Sequence, residues 1–430
     1  MENKNVEMEQ LVDIKHRLLY GQYVRNIFLN DKKDIFTNIK CGNKKIPHTN
    51  KKSIEECITQ HLGQIGGSID AEAYRIKLKQ NYKGAIKICP LTKDENNNKL
   101  NYDYKVWKEL EILKIIFGLL EENISPNLPV IYLYFICNDM KKLDYSNPNI
   151  KKFYNNKKIR MTLKEKITDE NDNKIQILNR MIRKKDYGQN CLCIINELCD
   201  FTIKDLICEN NMIDNVDDYM FKSFIFQIIS GIYAYNKHGN IAHFDLHGNN
   251  ILISKINAGK NWSYKINNKI YNVCNYGYLL KIWDFGRSYI IGKDSKEVII
   301  TQLKSQMIRF MDALFEEDKN LKTDIYNIIT DDNIHLICFC FDLWRIISYI
   351  YTKIHKNKYL SYKYADTLKL LNNIDKICRK NWIYALVNRN ITNTLDQLVD
   401  SILNKYFSSY KKENNNISKN EIINSKCYNC

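Results

Sequence analysis

Apolar positions change their period several times along this chain, and each change predicts an element. Near the start, "QLVDIKHRLL" carries a short helical pattern inside a polar, basic stretch reaching about residue 55, which predicts an N-terminal extension over 1–55. Between residues 56 and 137, "AYRIKL" and "GAIKIC" alternate as strands do, whereas "YKVWKELEILKIIFGLLEE" repeats its apolar residues at three and four. A small sheet with one main helix is the expectation.

From Asn138 to Asn190 the pattern lapses into Lys-, Arg- and Asn-rich segments such as "KKLDYSNPNIKKFYNNKKIR". Because the strand-like "CLCIINEL" follows at once, this basic segment 138–190 reads as an insertion between strands. Further on, "YMFKSFIFQIISGIYAYNKHG" and the helical "TQLKSQMIRFMDALFEE" predict an α-rich part extending to about residue 405. Residues 406–430 are polar and predict a disordered tail. The fold class is therefore α+β, with the strands first and most helices after them.

Composition narrows the class of molecule. With 430 residues, 44% of them hydrophobic, the chain can bury a large core and divide into lobes. Its formal charge of +16 implies a surface that attracts phosphates or acidic partner surfaces. Nucleic acid is compatible with that charge, but no nucleic-acid-binding motif accompanies it. The most apolar run, "LICFCFDLWRIISYI", is interrupted by Asp342 and Arg345, so no membrane association is expected. Glu2, Glu7 and Glu9 stand where a signal or transit peptide would carry basic and apolar residues. The 14 cysteines, many of them inside apolar runs, suggest reduced thiols and an intracellular, cytoplasmic setting. Cys427 and Cys430 form a C-x-x-C without the second pair that a zinc site needs.

Candidate chemistry gathers in two segments. In "NIAHFDLHGNNILI", Asp245 follows a helix, Asn250 comes five residues later, and a β-like "ILI" closes a short loop. After a polar loop, the apolar "LLKIW" runs into Asp284, Phe285 and Gly286. Carboxylate and amide oxygens are hard ligands suited to Mg²⁺, and a further carboxylate beside them can take a proton from an attacking hydroxyl. These are the parts that phosphoryl transfer requires.

Together "HFDLHGNNIL" and "IWDFGRS" resemble the catalytic and magnesium loops of the protein-kinase-like superfamily, and with the Asn, Lys and Ile bias they are similar to kinase-like proteins of large DNA viruses. The resemblance covers about residues 56–405. It implies a bilobal fold: a small β-rich N-lobe with one main helix at about 56–198, and a larger α-helical C-lobe at about 199–405. It also implies Asp245 as the catalytic base, Asn250 and Asp284 as Mg²⁺ ligands, and Lys87 of "GAIKIC" as the cation gripping the ATP phosphates. Glu109 of "WKELEILK" would pair with Lys87, with Glu111 as the competing choice.

By the same resemblance Gly63, Gly66 and Gly67 of "HLGQIGGSIDAEAY" would let backbone N–H groups approach the phosphates. Glu197 to Cys199 would offer backbone groups to adenine, Asn196 would be the gatekeeper, and Asp200 or Asp205 lies within reach of the ribose. Asp342 would anchor the catalytic loop from below through backbone N–H groups.

The departures from the family pattern matter. Ala71 stands where the last Gly of the Gly-rich motif belongs, and Phe244 replaces the Arg that would contact a phosphorylated activation loop. His247 stands where a γ-phosphate-contacting Lys is usual, as in haspin-type, small-molecule and some large-DNA-virus kinases. No proline follows Pro148, so no A-P-E exists. The expectation is an ATP- and Mg²⁺-dependent serine/threonine protein kinase acting on a protein substrate, virion-associated if viral. A small-molecule kinase like the aminoglycoside and choline kinases, or a nucleotide-binding pseudokinase, is the alternative. Retention of Lys87, Asp245, Asn250 and Asp284 weighs against the last.

Overall fold

The computed structural model describes residues 13–29, 58–67, 71–137, 187–208, 212–259, 261–315, 329–384, 393–411 and 426–429. It is a mixed α+β structure that divides into two compact units, one within 19–108 and 130–198, the other within 1–18, 109–129 and 199–430. The chain crosses between them at four places, one being Leu198–Cys199.

The smaller unit is built on an antiparallel sheet. Its strands are β1 (Ile58–Gly67), β2 (Glu72–Leu78), β3 (Lys83–Thr92), β4 (Ile131–Cys137) and β5 (Tyr187–Asn196), in the order β1-β2-β3-β5-β4. Every residue of β4 is buried, as expected of a strand covered on both faces. Strand β3 lies at the centre, with Pro90 beside a register shift where a missing N–H is tolerated. β4 and β5 pair directly, Cys137 opposite Cys191, although the long basic segment separates them in sequence. Most of that segment, 138–186, lies outside the described residues.

The expected extension holds a helix, α1 (Ile14–Leu29), which contributes buried residues rather than standing apart. Tyr20 brackets the start of β3, accepting from Lys83 N at 2.8 Å and donating to Lys83 O at 3.2 Å. A Cβ at Gly21 would come within 2.9 Å of the Tyr132 ring, so the helix can approach β4 closely only with glycine there. In the larger unit, the buried Arg17 donates to the carbonyls of Pro126, at 2.6 Å, and Leu128. After β3, Thr92 and Glu95 form a capping box on the short α2 (Lys93–Asn97). The main helix α3 (Lys105–Glu121) follows, and the division between units falls within it.

From Cys199 onward the larger unit holds β6 (Phe201–Thr202) and α4 (Ile203–Cys208) and is organised by two long helices, α5 (Asp218–Gly239) and α7 (Ile334–Lys356). Asp217 caps α5 by accepting from Met220 N, and Asn240 ends it in the left-handed region at φ 53°. Then come β7 (Ile241–Ala242), β8 (Ile251–Lys255), β9 (Asn261–Ile266), β10 (Lys269–Cys274), β11 (Tyr278–Ile282) and β12 (Tyr289–Ile290). Helices α6 (Lys296–Phe315), α7 (Ile334–Lys356), α8 (Lys358–Lys363), α9 (Ala365–Arg379) and α10 (Leu395–Tyr406) complete the unit.

Helix α7 contains the apolar run broken by Asp342 and Arg345. It is the one helix among the described residues long and apolar enough to cross a membrane, and 72% of its apolar window is buried within the protein. Burying each Leu, Ile or Phe is worth roughly 1.5–3 kcal/mol, so this helix is a principal source of core stability.

Two expectations are corrected here. The polar stretch between Asn250 and Asp284 is not all loop: β9 and β10 form a hairpin in which Ile266 opposes Lys269 across Asn267 and Asn268. Both asparagines have positive φ, 48° and 63°, the backbone of a tight two-residue hairpin turn. Trp262, Tyr264, Ile266, Tyr271 and Val273 of the hairpin are buried. The expected disordered tail begins with ordered residues, since Phe407 is fully buried, and it contains β13 (Lys426–Asn429), parallel to β9. Strand addition uses backbone groups, which an absence of apolar periodicity does not remove.

Candidate functional site

The site is assembled on short segments held by α5, α7 and the β8–β11 pair. Strand β8 pairs antiparallel with β11, Ile251 opposite Ile282, so the residues just before β8 and just after β11 are brought together. Asn250 and Trp283 occupy those positions, and Asp284 follows Trp283. Trp283 N donates to Asn250 O at 2.9 Å, tying the two loops directly.

Below them lies Asp342, fully buried on α7. Its carboxylate accepts from His243 N and Phe244 N, both at 2.8 Å, and from the Tyr235 hydroxyl at 2.9 Å. Burial pushes the Asp342 carboxyl up from its ordinary range, while His243 and the two backbone donors oppose that shift. Three donors and no acceptor around it match an ionised carboxylate. The expected anchoring role is thus realised by geometry.

His243, also fully buried, locks the loop from the other side. Its Nε2 lies 2.9 Å from Trp283 O, and Asp245 N donates to its Nδ1 at 3.3 Å. Since a carbonyl only accepts, Nε2 carries the hydrogen and Nδ1 is the acceptor. The Phe285 ring packs on the imidazole at 4.9 Å between centroids.

Asp245 itself is partly open, with its side chain 18% exposed. Arg345 Nη2 lies 3.5 Å from its Oδ1, while Arg287 Nε and His247 Nε2 lie 3.6 Å and 4.0 Å from its Oδ2. Asn250 Nδ2 donates to Asp245 O at 2.9 Å, leaving Asn250 Oδ1 as the acceptor end of that amide. His247 Nδ1 accepts from Asn249 N at 3.2 Å. Burial holds the His247 pKa below the usual range; the charge of Asp245 opposes this and that of Arg345 adds to it.

Asp284 takes the left-handed conformation, φ 63° and ψ 67°, which turns the chain out of β11. Its carboxylate and that of Glu109 converge on Gly286, where a Cβ would lie 3.4 Å from Asp284 Oδ1 and 3.3 Å from Glu109 Oε2. Glu109 is buried at 5% exposure, whereas Glu111 sits on the surface in an ion pair with Lys293 at 3.2 Å. Of the two glutamates, Glu109 is the one directed into the protein.

The hard oxygen ligands gathered on these two loops are the Asp284 carboxylate and Asn250 Oδ1. Among the described residues no three His, Cys, Asp or Glu side chains gather to hold a metal by themselves. That donor set fits Mg²⁺, which takes one or two protein oxygens and completes its shell with phosphate oxygens and water. It does not fit a structural zinc.

Several of the remaining predicted residues belong to the smaller unit. Lys87 is half-buried on β3 between Ala73 of β2 and Ile194 of β5. Gly63, Gly66 and Gly67 belong to β1, opposite Arg75, Ala73 and Glu72, with register shifts before Gly63 and Gly66. Residues 68–70, which follow, lie outside the described residues. Asn196 is buried and donates to Glu197 O at 3.0 Å. Glu197 clasps Val130, its N–H donating to Val130 O and its Oε1 accepting from Val130 N at 2.7 Å.

In the larger unit, Cys199 Sγ lies 3.7 Å from Lys281 Nζ. Asp200 and Asp205 serve the local backbone, accepting from Lys255 N and Thr202 N respectively. Cys427 lies in β13, and Cys430 is outside the described residues.

Arg287 and Arg345 had no role in the sequence reading. A signal existed for one of them. Arg345 stands three residues after Asp342 on the same helix, so both face the same loop.

No family model matches this sequence. An uncharacterised protein of Acanthamoeba polyphaga mimivirus is 26% identical over 229 residues, a match covering 43% of this chain and 29% of that protein. The chain thus corresponds to under a third of the length of this relative.

Proposed function

We propose that the chain is an ATP-dependent phosphotransferase, a divergent serine/threonine protein kinase with a β-rich N-lobe and a helical C-lobe. The observation that carries the reading is the joining of Asp245, Asn250 and Asp284 on two loops tied by the Trp283–Asn250 bond and anchored by the buried Asp342. Isolated D-L-H or D-F-G segments occur as ordinary turns, but their union on one buried scaffold is hard to explain by stability alone.

In this reading Asp245 orients an acceptor hydroxyl and takes its proton as the oxygen bonds to the γ-phosphorus. The bond from that phosphorus to the bridging oxygen breaks, and ADP leaves. Mg²⁺, when bound, supplies charge neutralisation on the phosphates. Asp284 and Asn250 Oδ1 would hold it, and Lys87 would steady the α- and β-phosphates. By the family resemblance, Glu109 would be the acidic residue paired with Lys87. Gly63, Gly66 and Gly67 cover the phosphates, and the backbone from Glu197 to Cys199 receives the adenine.

A small-molecule acceptor is the second reading, favoured by the absence of any proline after Pro148 and by the D-L-H sequence. Thermal denaturation separates nucleotide binding from chemistry. Mg-ATP should raise the midpoint of the wild-type protein, with a smaller rise in EDTA and in Asp284→Ala. No rise under any condition would refute nucleotide binding.

A further inference from the structure

We infer that Arg287 is an acceptor-recognition residue, selecting hydroxyl acceptors that carry a carboxylate or phosphate close to the hydroxyl. The inference rests on the phosphotransferase reading and deepens it by naming the chemistry of the acceptor.

The argument begins with the unequal footing of the two arginines at Asp245. Arg345 is 13% exposed, rises from the core helix α7 and lies over the Phe341 ring. It is fixed by its surroundings and holds Oδ1. Arg287 is 55% exposed and sits on the short loop after Phe285 and Gly286. Its Nε reaches Asp245 Oδ2 only at 3.6 Å, beyond an ordinary N–H···O hydrogen bond.

A half-exposed pair at that distance adds little to stability, so the fold does not explain why a cation stands there. Guanidinium groups bind carboxylates and phosphates best through two parallel N–H···O bonds, which Arg287 does not make with Asp245. An anionic group arriving beside the acceptor hydroxyl offers Arg287 that geometry. Moving onto it, Arg287 leaves Asp245 Oδ2 open to receive the hydroxyl proton, while Arg345 keeps the carboxylate oriented through Oδ1. His247, held below its usual pKa by burial, adds little cationic charge, so the arginines set the sign of the site.

The test compares three serine peptides identical except for flanking glutamates, glutamines or lysines, each with Mg-ATP and the 430-residue chain. A fourth peptide carries phosphoserine beside the acceptor. Wild-type protein should favour the glutamate and phosphoserine peptides over the lysine peptide by about tenfold or more in kcat/KM. Arg287→Glu should reverse the order, and Arg287→Ala should level it, with thermal midpoints unchanged for both. Wild-type transfer indifferent to flanking charge, or an order unaltered in Arg287→Glu, would overturn this inference alone. Absence of wild-type transfer to every peptide and to the protein itself would overturn the phosphotransferase reading and this inference with it.

Discussion

Phe244 is held at φ 60°, a conformation costly for a bulky side chain, with its N–H donating to Asp342 Oδ1 at 2.8 Å. Strain of this kind costs of order 1–3 kcal/mol and persists only where the surroundings over-determine it. Here the surroundings are a buried carboxylate with two further donors and the aromatic rings of Tyr289 and Phe341. The strained turn delivers Asp245 to the surface of the loop.

Asp342→Ala should therefore damage both the fold and the site. It strands two buried backbone N–H groups and the Tyr235 hydroxyl, at a cost of about 2–5 kcal/mol. Urea denaturation measures the loss. Tyr235→Phe, which removes a single donor, should cost about 1 kcal/mol by the same measurement.

Gly248 is a steric requirement. A Cβ there would overlap Tyr349 Cε1 and lie 2.7 Å from its Cζ. Gly248→Ala should destabilise by about 1–3 kcal/mol. Adding Tyr349→Ala should recover part of that loss, and strictly additive effects in the double variant would contradict the contact.

His247 and His335 both have pKa values lowered from 6.5, burial being the main cause in each. Folding then favours their neutral forms, so their contribution to stability is complete above pH 6.5 and is lost as the pH falls below it. The thermal midpoint should decline from pH 7 to pH 5, and His335→Gln should flatten the decline. An identical slope in that variant would count against the burial argument.

Much of this arrangement was legible in the sequence because its signals are local. Alternation marked β2, β3 and β5, a 3.6-residue period marked α3 and α5, and Asp342 announced itself as an acid inside an apolar helix. The β9–β10 hairpin carried a legible signal too, Asn-Asn between alternating apolar residues, but its polar content obscured it. The parallel pairing of β13 with β9 is a long-range backbone match and has no side-chain signature.

The site divides along the same line. Asp245, Asn250 and Asp284 sit at strand ends fixed by nearby sequence. The contact of Arg287 with Asp245 depends on how two loops fold back over α7, and no spacing rule reaches across that distance. Glu109 and Glu111 were alternatives in sequence because both lie on α3. The surface ion pair of Glu111 with Lys293 and the burial of Glu109 separate them.

Asp245→Asn keeps the shape of the side chain and removes its capacity to accept a proton. It should retain Mg-ATP-dependent thermal stabilisation and a folded state, while loss of nucleotide binding in this variant would contradict the role assigned to Asp245.

The most direct measurement is transfer of labelled γ-phosphate from Mg-ATP to protein, by wild type beside Asp245→Asn and Asp284→Ala. The account predicts label on the protein itself or on an added protein substrate with wild type, and a loss of at least about a hundredfold in both variants. Equal labelling by wild type and both variants, or none by wild type despite nucleotide-dependent stabilisation, would contradict it.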